Sequence, residues 1–361
     1  MLPAVFLDRR RLLVCSALFT LTGCNLEGSG KPDSGAGGPD AALPMIDAAV
    51  PVDGAVPVDS GGGNDAASGM QCTPACTSAA PICDNGTCKA CTSSTGCSSD
   101  SPVCDTAANG GAGQCKKVEV IAFYTPDPDM ADRAHAAYAR HANAWFPMQA
   151  AKVKFFTYES TTDWDRLKTI KPAPGRIVLF LDNVPGDGAQ QAGLQTYAEA
   201  GGAWMGCHVV GYNDDSTHWD WFFNEFLGCG HFNNNTWEPT TAVLDVEDTT
   251  HPLSLGLGSK FTSAASEWYS WVVDLRTKSN IKILLSVDPS SFPLGTDPKQ
   301  SWYSGYYPLA WTNTNYKMLY VNMGHERMNY QTDTALSSSF DSPTQNQMYM
   351  NAFKWLGGAQ H

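Results

Sequence analysis

The run Gly201-Gly202-Ala203-Trp204-Met205-Gly206-Cys207-His208-Val209-Val210 decides how this chain folds. The two glycines follow a helical run, where an achiral residue supplies the left-handed cap that ends a helix. The apolar stretch after them is too short for a helix and suits a central strand of a parallel sheet, buried on both faces. His208 then stands at the carboxyl end of that strand. In open α/β sheets ligands bind outside the carboxyl ends of the strands. An imidazole placed there can act as acid, base or metal ligand near neutral pH. The alternative is a histidine satisfied by a backbone carbonyl, with a structural role only.

Outward from this run, residues 118–124, 153–158 and 177–181 read as strands. Residues 130–146 carry Ala134, Tyr138, Ala142 and Trp145 at helical spacing, and residues 190–200 form a second helix. Strands alternating with helices predict a parallel sheet covered on both faces. A short aromatic helix is expected at 219–227. Further strands are expected at 242–246, 281–287, 309–311 and 318–323, and an amphipathic helix at 348–356 closes one large domain over 118–361.

The remainder of the chain is organised differently. Residues 1–24 have the form of a signal peptide: Arg9, Arg10 and Arg11, then an apolar run over 12–21 too short to span a bilayer. Leu21-Thr22-Gly23-Cys24 resembles a bacterial lipobox, which implies cleavage before Cys24 and a lipid on that cysteine. Asn25 rather than aspartate follows it, which suits the outer membrane. Residues 25–70 are rich in Gly, Pro, Asp, Ala and Ser, with no aromatic residue and a single base, Lys31. Such a segment cannot bury enough apolar area to offset its chain entropy and reads as a flexible, acidic tether.

Eight of the 12 cysteines lie in a module over 71–116, in two units of four: Cys72, Cys76, Cys83, Cys88, then Cys91, Cys97, Cys104, Cys115. Pro81-Ile82-Cys83-Asp84 is echoed by Pro102-Val103-Cys104-Asp105, an internal repeat. In an exported, loop-rich segment this pattern means disulfides, with the pairing left open; zinc is the rival reading and needs reduced thiolates. Cys207 and Cys229 are left as buried thiols or a further disulfide.

The formal net charge is −13, and no basic run follows the signal peptide, which argues against nucleic acid as a partner. Tyr124-Thr125-Pro126-Asp127 follows the first strand in place of a glycine-rich phosphate loop, which argues against a nucleotide cofactor.

Five segments in order resemble the ThuA-like (trehalose-utilisation) family. Gly201 to His208 resembles its Gly-Gly-Gly-φ-φ-Gly-φ-His run, φ being apolar. His251-Pro252-Leu253-Ser254-Leu255-Gly256-Leu257 is similar to its His-Pro-x-x-x-Gly-Leu. Glu267-Trp268-Tyr269 is similar to its Asp-Glu-φ-Tyr, the strands at 283–288 and 308–311 follow in order, and Val321-Asn322-Met323-Gly324-His325 resembles its closing Leu-Gly-His. The resemblance implies a flavodoxin-like, doubly wound, mostly parallel α/β fold related to class I glutamine amidotransferases, here preceded by the disulfide-rich module. Those relatives carry a nucleophilic cysteine at the elbow where this chain has His208. Cys207, one residue earlier, faces the other side of the strand, which argues against amidotransfer. Two positions depart from the family pattern: Ser266 replaces the aspartate before Glu267, and in Gly228-Cys229-Gly230-His231-Phe232-Asn233-Asn234-Asn235 a single inserted residue puts Asn235 where a histidine is usual, His231 being the substitute in a different register.

His208, Glu267 and His325 are therefore the candidate catalytic residues. They suit acid–base chemistry, or two imidazoles and a carboxylate holding a divalent metal. Asp214, Asp215 and His218 follow the elbow as a pocket rim or a solvated loop. Trp219 and Trp237 are the candidates for stacking on a sugar ring, with Tyr269 beside Glu267 as a further substrate contact. His251-Pro252 reads as a structural turn. The expected function is action on a carbohydrate or sugar derivative, as hydrolase, lyase or isomerase. The alternative is a non-catalytic carbohydrate-binding or cell-surface interaction module.

Overall fold

A nine-stranded sheet organises the molecule. The computed structural model describes residues 72, 75–77, 79–126, 133–214, 219–235, 239–291 and 306–359. The signal peptide with Cys24, the tether, Asp215, His218 and Trp237 lie outside the described residues. The strands are β1 (Val118–Phe123), β2 (Phe156–Thr161), β3 (Arg176–Phe180), β4 (Ala203–Cys207), β5 (Val243–Val246), β6 (Lys260–Thr262), β7 (Ile281–Val287), β8 (Pro308–Asn313) and β9 (Met318–Val321). Their spatial order is β6-β5-β7-β8-β9-β4-β3-β1-β2.

The five strands β2-β1-β3-β4-β9 are all parallel, which reproduces the 2-1-3-4-5 order of flavodoxin-like sheets. Beyond β9 the sheet continues antiparallel through β8, β7, β5 and β6. Antiparallel neighbours need no crossover helix, and β8 passes to β9 through only residues 314–317. The sequence pattern shows these later strands but not their direction.

Successive strand residues face opposite sides, and the core divides accordingly. Val118, Val120 and Ala122 of β1 join one apolar cluster, whereas Ile121 and Phe123 join the other. The helices α1 (Arg133–Val153) and α3 (Pro343–Gly357) cover the first face through Tyr138, Ala142, Phe146, Met348 and Phe353. The second face is covered by α2 (Gly188–Glu199), with Leu194 and Tyr197, and by the turn Trp221–Phe226. That turn is the expected aromatic helix wound as a π-helix, in which Leu227 N–H donates to Phe222 O at 2.8 Å. The second strand starts later than its periodicity suggests because α1 runs on to Val153 and Lys154 leaves it with φ +63°. Gly201 caps α2 as expected, at φ +83°. The strand β6 was not expected; it is three residues long with one buried side chain.

The cysteine module forms four disulfides, Cys72–Cys83, Cys76–Cys88, Cys91–Cys104 and Cys97–Cys115. Both units pair first with third and second with fourth, and each carries one hairpin, so the sequence repeat is also a structural one. Oxidised sulfurs leave no thiolates for zinc. Val103 of the second unit is buried in the same cluster as Val118. Cys207 and Cys229 are free and buried. Among the described residues no helix is long and apolar enough to cross a membrane.

Candidate active site

The elbow after β4 turns sharply because His208 adopts φ +43°. For a residue with a Cβ the left-handed region costs roughly 1–2 kcal/mol, so the surroundings must hold it there. The Tyr320 hydroxyl donates to the His208 carbonyl at 2.6 Å, and Trp271 Nε1 donates to Gly211 O at 3.2 Å. The Tyr269 ring lies 4.0 Å from the imidazole. Cys207 points the other way, into the α1 face, where Tyr138 Oη donates to its Sγ at 3.2 Å. Burial pushes that thiol up to about 12, which rules it out as a nucleophile.

A second arm enters from the end of β9. The Ser266 hydroxyl accepts from the backbone N–H groups of Gly324, at 3.3 Å, and His325, at 3.4 Å. Ser266 thus fixes the loop that carries His325. Gly324 has φ +153°, and a Cβ there would lie 2.8 Å from His208 Cβ. Only glycine lets the two histidine-bearing turns approach this closely.

Between them stands Glu267. Its Oε2 is 3.8 Å from His208 Nε2 and 3.8 Å from His325 Nε2. The Asn235 side chain hydrogen-bonds the Glu267 carboxylate. The Asn322 amide is best satisfied with its nitrogen towards His208. It then donates to Nδ1 at 3.0 Å and to the Glu267 carbonyl at 3.3 Å, while its oxygen accepts from Tyr269 N–H at 3.0 Å. That arrangement puts the His208 proton on Nε2, facing Glu267.

A fourth group arrives from α1. His135 has a ring nitrogen that, with one from His208 and a Glu267 oxygen, forms a set within 4.8 Å of one another. Its ring is 4.8 Å from that of His325. All four side chains are buried, at 0% exposure for His208, 6% for Glu267, 7% for His325 and 8% for His135. Burial holds His208 well below the ordinary imidazole range, with the neighbouring His135 adding to the effect. Burial likewise takes His325 down to about 3, against the pull of Glu267. Burial raises Glu267, and the nearby histidines only partly offset this. The neutral imidazoles of His208 and His325 thus flank a carboxyl whose pKa burial raises.

Glu326, fully buried beside His325, ties the loop to α1: its Oε1 meets His141 Nδ1 at 3.3 Å and accepts from Ser339 N–H at 2.9 Å. This hydrogen bond raises the pKa of His141.

A cavity of about 420 Å³ opens onto Glu267 and His325, with Pro239, Arg327, Tyr330 and Leu336 around it. Tyr330 and Leu336 are 51% and 60% exposed. His208 lies behind this floor, out of contact with solvent.

The structure brings together His208, Glu267 and His325, and adds His135. Other sequence candidates stand elsewhere. Trp219 is buried and stacks on Phe222, ring centroids 4.4 Å apart, so it offers no face to a ligand. Tyr269 is buried and packs on His208 instead of lining the cavity. Asp214 is exposed and accepts from the Tyr212 hydroxyl at 3.5 Å, away from the cavity. His251 is structural as expected: its Nδ1 accepts from Leu253 N–H at 3.1 Å. Two features were missed. His135 had a signal, a polar residue on the apolar stripe of Tyr138 and Ala142. Tyr330 and Arg327 sit in a loop without periodicity and had none.

These features define a flavodoxin-like α/β protein with a histidine–glutamate cluster at the carboxyl edge of its parallel strands. Residues 130–356 match the ThuA family, described as trehalose utilisation, and the chain belongs to that family. A ThuA-like protein from Bacteroides uniformis is 32% identical in sequence, with a TM-score of 0.57 over 66% of this chain and 90% of that one. Weaker likenesses include a ThuA-like protein from Parabacteroides merdae (15% identity, 67% and 90% covered, TM-score 0.45). Another is the glutaminase domain of Trypanosoma brucei CTPS (11% identity, 68% and 96% covered, TM-score 0.36). No curated protein matches the chain.

Proposed function

We propose that this protein is an outer-membrane lipoprotein, anchored through Cys24, whose ThuA domain transfers protons on a sugar or sugar derivative. The observation that carries this reading is that Glu267 and His325 together form the floor of a cavity of about 420 Å³ beside the exposed ring of Tyr330. Aromatic faces stack on sugar rings, and the family's description as trehalose utilisation points to the same substrate class. Among the described residues Glu267 is the one carboxylate lining the cavity. Most glycosidases use two flanking carboxylates, so the geometry favours isomerase or lyase chemistry over hydrolysis.

Glu267, with its raised pKa, takes a proton from carbon next to a carbonyl of the substrate. The neutral imidazole of His325 hydrogen-bonds the oxygen on which charge develops. The proton then returns to the neighbouring carbon, or a leaving group departs. A carboxylate tuned upward and an imidazole kept neutral are matched to these two tasks. His208, with its Nε2 3.8 Å from the Glu267 carboxylate, backs that carboxylate from the buried side.

The test is to incubate the purified chain in heavy water with sugars, including trehalose, and their keto derivatives. Deuterium incorporation and product formation are followed by NMR. Glu267→Gln is expected to slow exchange by about two to four orders of magnitude. Exchange unaffected by Glu267→Gln and by His325→Ala refutes the assignment. Sugar binding without turnover supports the second reading, a carbohydrate-binding module, which Asn235 in place of the family histidine favours.

A further inference from the structure

We propose that His135, His208 and Glu267, with His325 as a fourth donor, form a binding site for a divalent transition-metal ion of the zinc type. The donors come from four separate segments, α1, the β4 elbow, the segment before residues 269–271 and the loop after β9, and all four are buried. Buried titratable side chains gathered from distant segments are costly unless they pair or hold a metal. The two separations of 3.8 Å from Glu267 Oε2 to the His208 and His325 nitrogens are too long for hydrogen bonds. They are close to the distance between two ligands of one ion. With metal–ligand bonds of about 2.1 Å at a tetrahedral angle, ligand atoms sit about 3.4 Å apart. Those two pairs need to close by a few tenths of an ångström, and the His135 nitrogen, within 4.8 Å of the His208 and Glu267 donors, by up to about 1.4 Å.

The chemistry of the donor set agrees. Imidazoles and a carboxylate with no thiolate suit zinc and its first-row neighbours. Cys207, the nearest thiol in sequence, lies on the other side of the strand. His208 Nε2 is buried and has no hydrogen-bond partner. The supporting shell is present as well, Asn322 on His208 and Asn235 on Glu267, as metal-ligating side chains require. To ligate through Nε2, His208 must carry its proton on Nδ1. Turning the Asn322 amide so that its oxygen faces that nitrogen, at 3.0 Å, accommodates this form. The amide therefore serves both tautomers, at the expense of its bond from Tyr269 N–H. The cavity opens on Glu267 and His325, so water or substrate reaches the ion from that side as a fifth ligand, or as the fourth where His325 does not bind.

The test uses the full chain with disulfides intact, without reductant or affinity tag, stripped with a chelator. Zinc is titrated by calorimetry, and cobalt is followed by its visible spectrum. The expected result is one ion per chain. Binding should weaken in His135→Gln and in Glu267→Gln by more than the 10–100-fold typical of losing a supporting partner. Zinc should also raise the unfolding temperature of the natural chain and leave that of Glu267→Gln unmoved. A folded chain that takes up neither zinc nor cobalt overturns the proposal. So does uptake undiminished in both variants. This inference rests on the same site as the proposed sugar chemistry, but the readout is metal binding: a chain that turns sugar over yet takes up neither ion removes the metal and keeps the enzyme, whereas metal uptake without any sugar activity does the reverse.

Discussion

Replacing His325 by glutamine should change the acid sensitivity of the fold in a way that burial dictates. His325 titrates at about 3 in the folded protein, against about 6.5 when unfolded. As pH falls below about 6.5 the unfolded chain takes up this proton first, so folded stability is lost progressively down to the folded pKa. The slope is about 1.36 kcal/mol per pH unit for one group. The unfolded group is only half protonated at pH 6.5, so the slope builds up below it, and between pH 6.5 and pH 4.5 the loss from His325 is about 2 kcal/mol. Glutamine cannot take up the proton. Whatever stability His325→Gln costs at neutral pH, the natural protein's advantage should shrink by about that amount in acid. Glu267 is raised by burial and acts in the opposite sense, but it is common to both proteins. Urea unfolding followed by tryptophan fluorescence at several pH values gives the comparison directly. An advantage that stays constant from neutral to acidic pH means that His325 titrates freely in the folded state, and the buried cluster is then wrongly drawn.

Further consequences are open to measurement. Gly324→Ala drives a Cβ to 2.8 Å from His208 Cβ; it should destabilise the chain by about 1–3 kcal/mol, seen as a lower unfolding midpoint. Trp219→Ala should cost about 3–5 kcal/mol because its ring is packed in the core, whereas Tyr330→Ala should leave stability within about 0.5 kcal/mol and weaken sugar binding in calorimetry. If instead Trp219→Ala abolishes sugar binding in a stable protein, the stacking surface lies there. Cys24→Ser should move the expressed chain from the detergent-rich to the aqueous phase on partitioning and abolish incorporation of labelled fatty acid. Unchanged partitioning counts against lipidation.

Local pattern was enough for much of this protein. Strict alternation along residues 118–123 assigns each side chain to one of two faces, and the same rule separates Cys207 from His208 before any coordinates are known. Gly201 ends α2 because only a residue without a Cβ enters the left-handed region at little cost. The cysteine repeat announces disulfides, and the position of His208 at a strand end announces a site. Other properties depend on partners far away in the chain, and no local period encodes them. Four of the nine strands join antiparallel at one edge because of which neighbours they meet, not because of their own composition. Trp219 is indistinguishable in sequence from an exposed stacking residue until Phe222 closes over it. His135 belongs to the site only because α1 starts at the carboxyl edge of the sheet and holds its first turn against the β4 elbow, and Asn235, Ser266 and Asn322 become supports of Glu267, His325 and His208 only when the strands beside them pair. Periodicity fixes which face a residue takes; which residues share that face is settled by burial and hydrogen-bond satisfaction across the assembled fold.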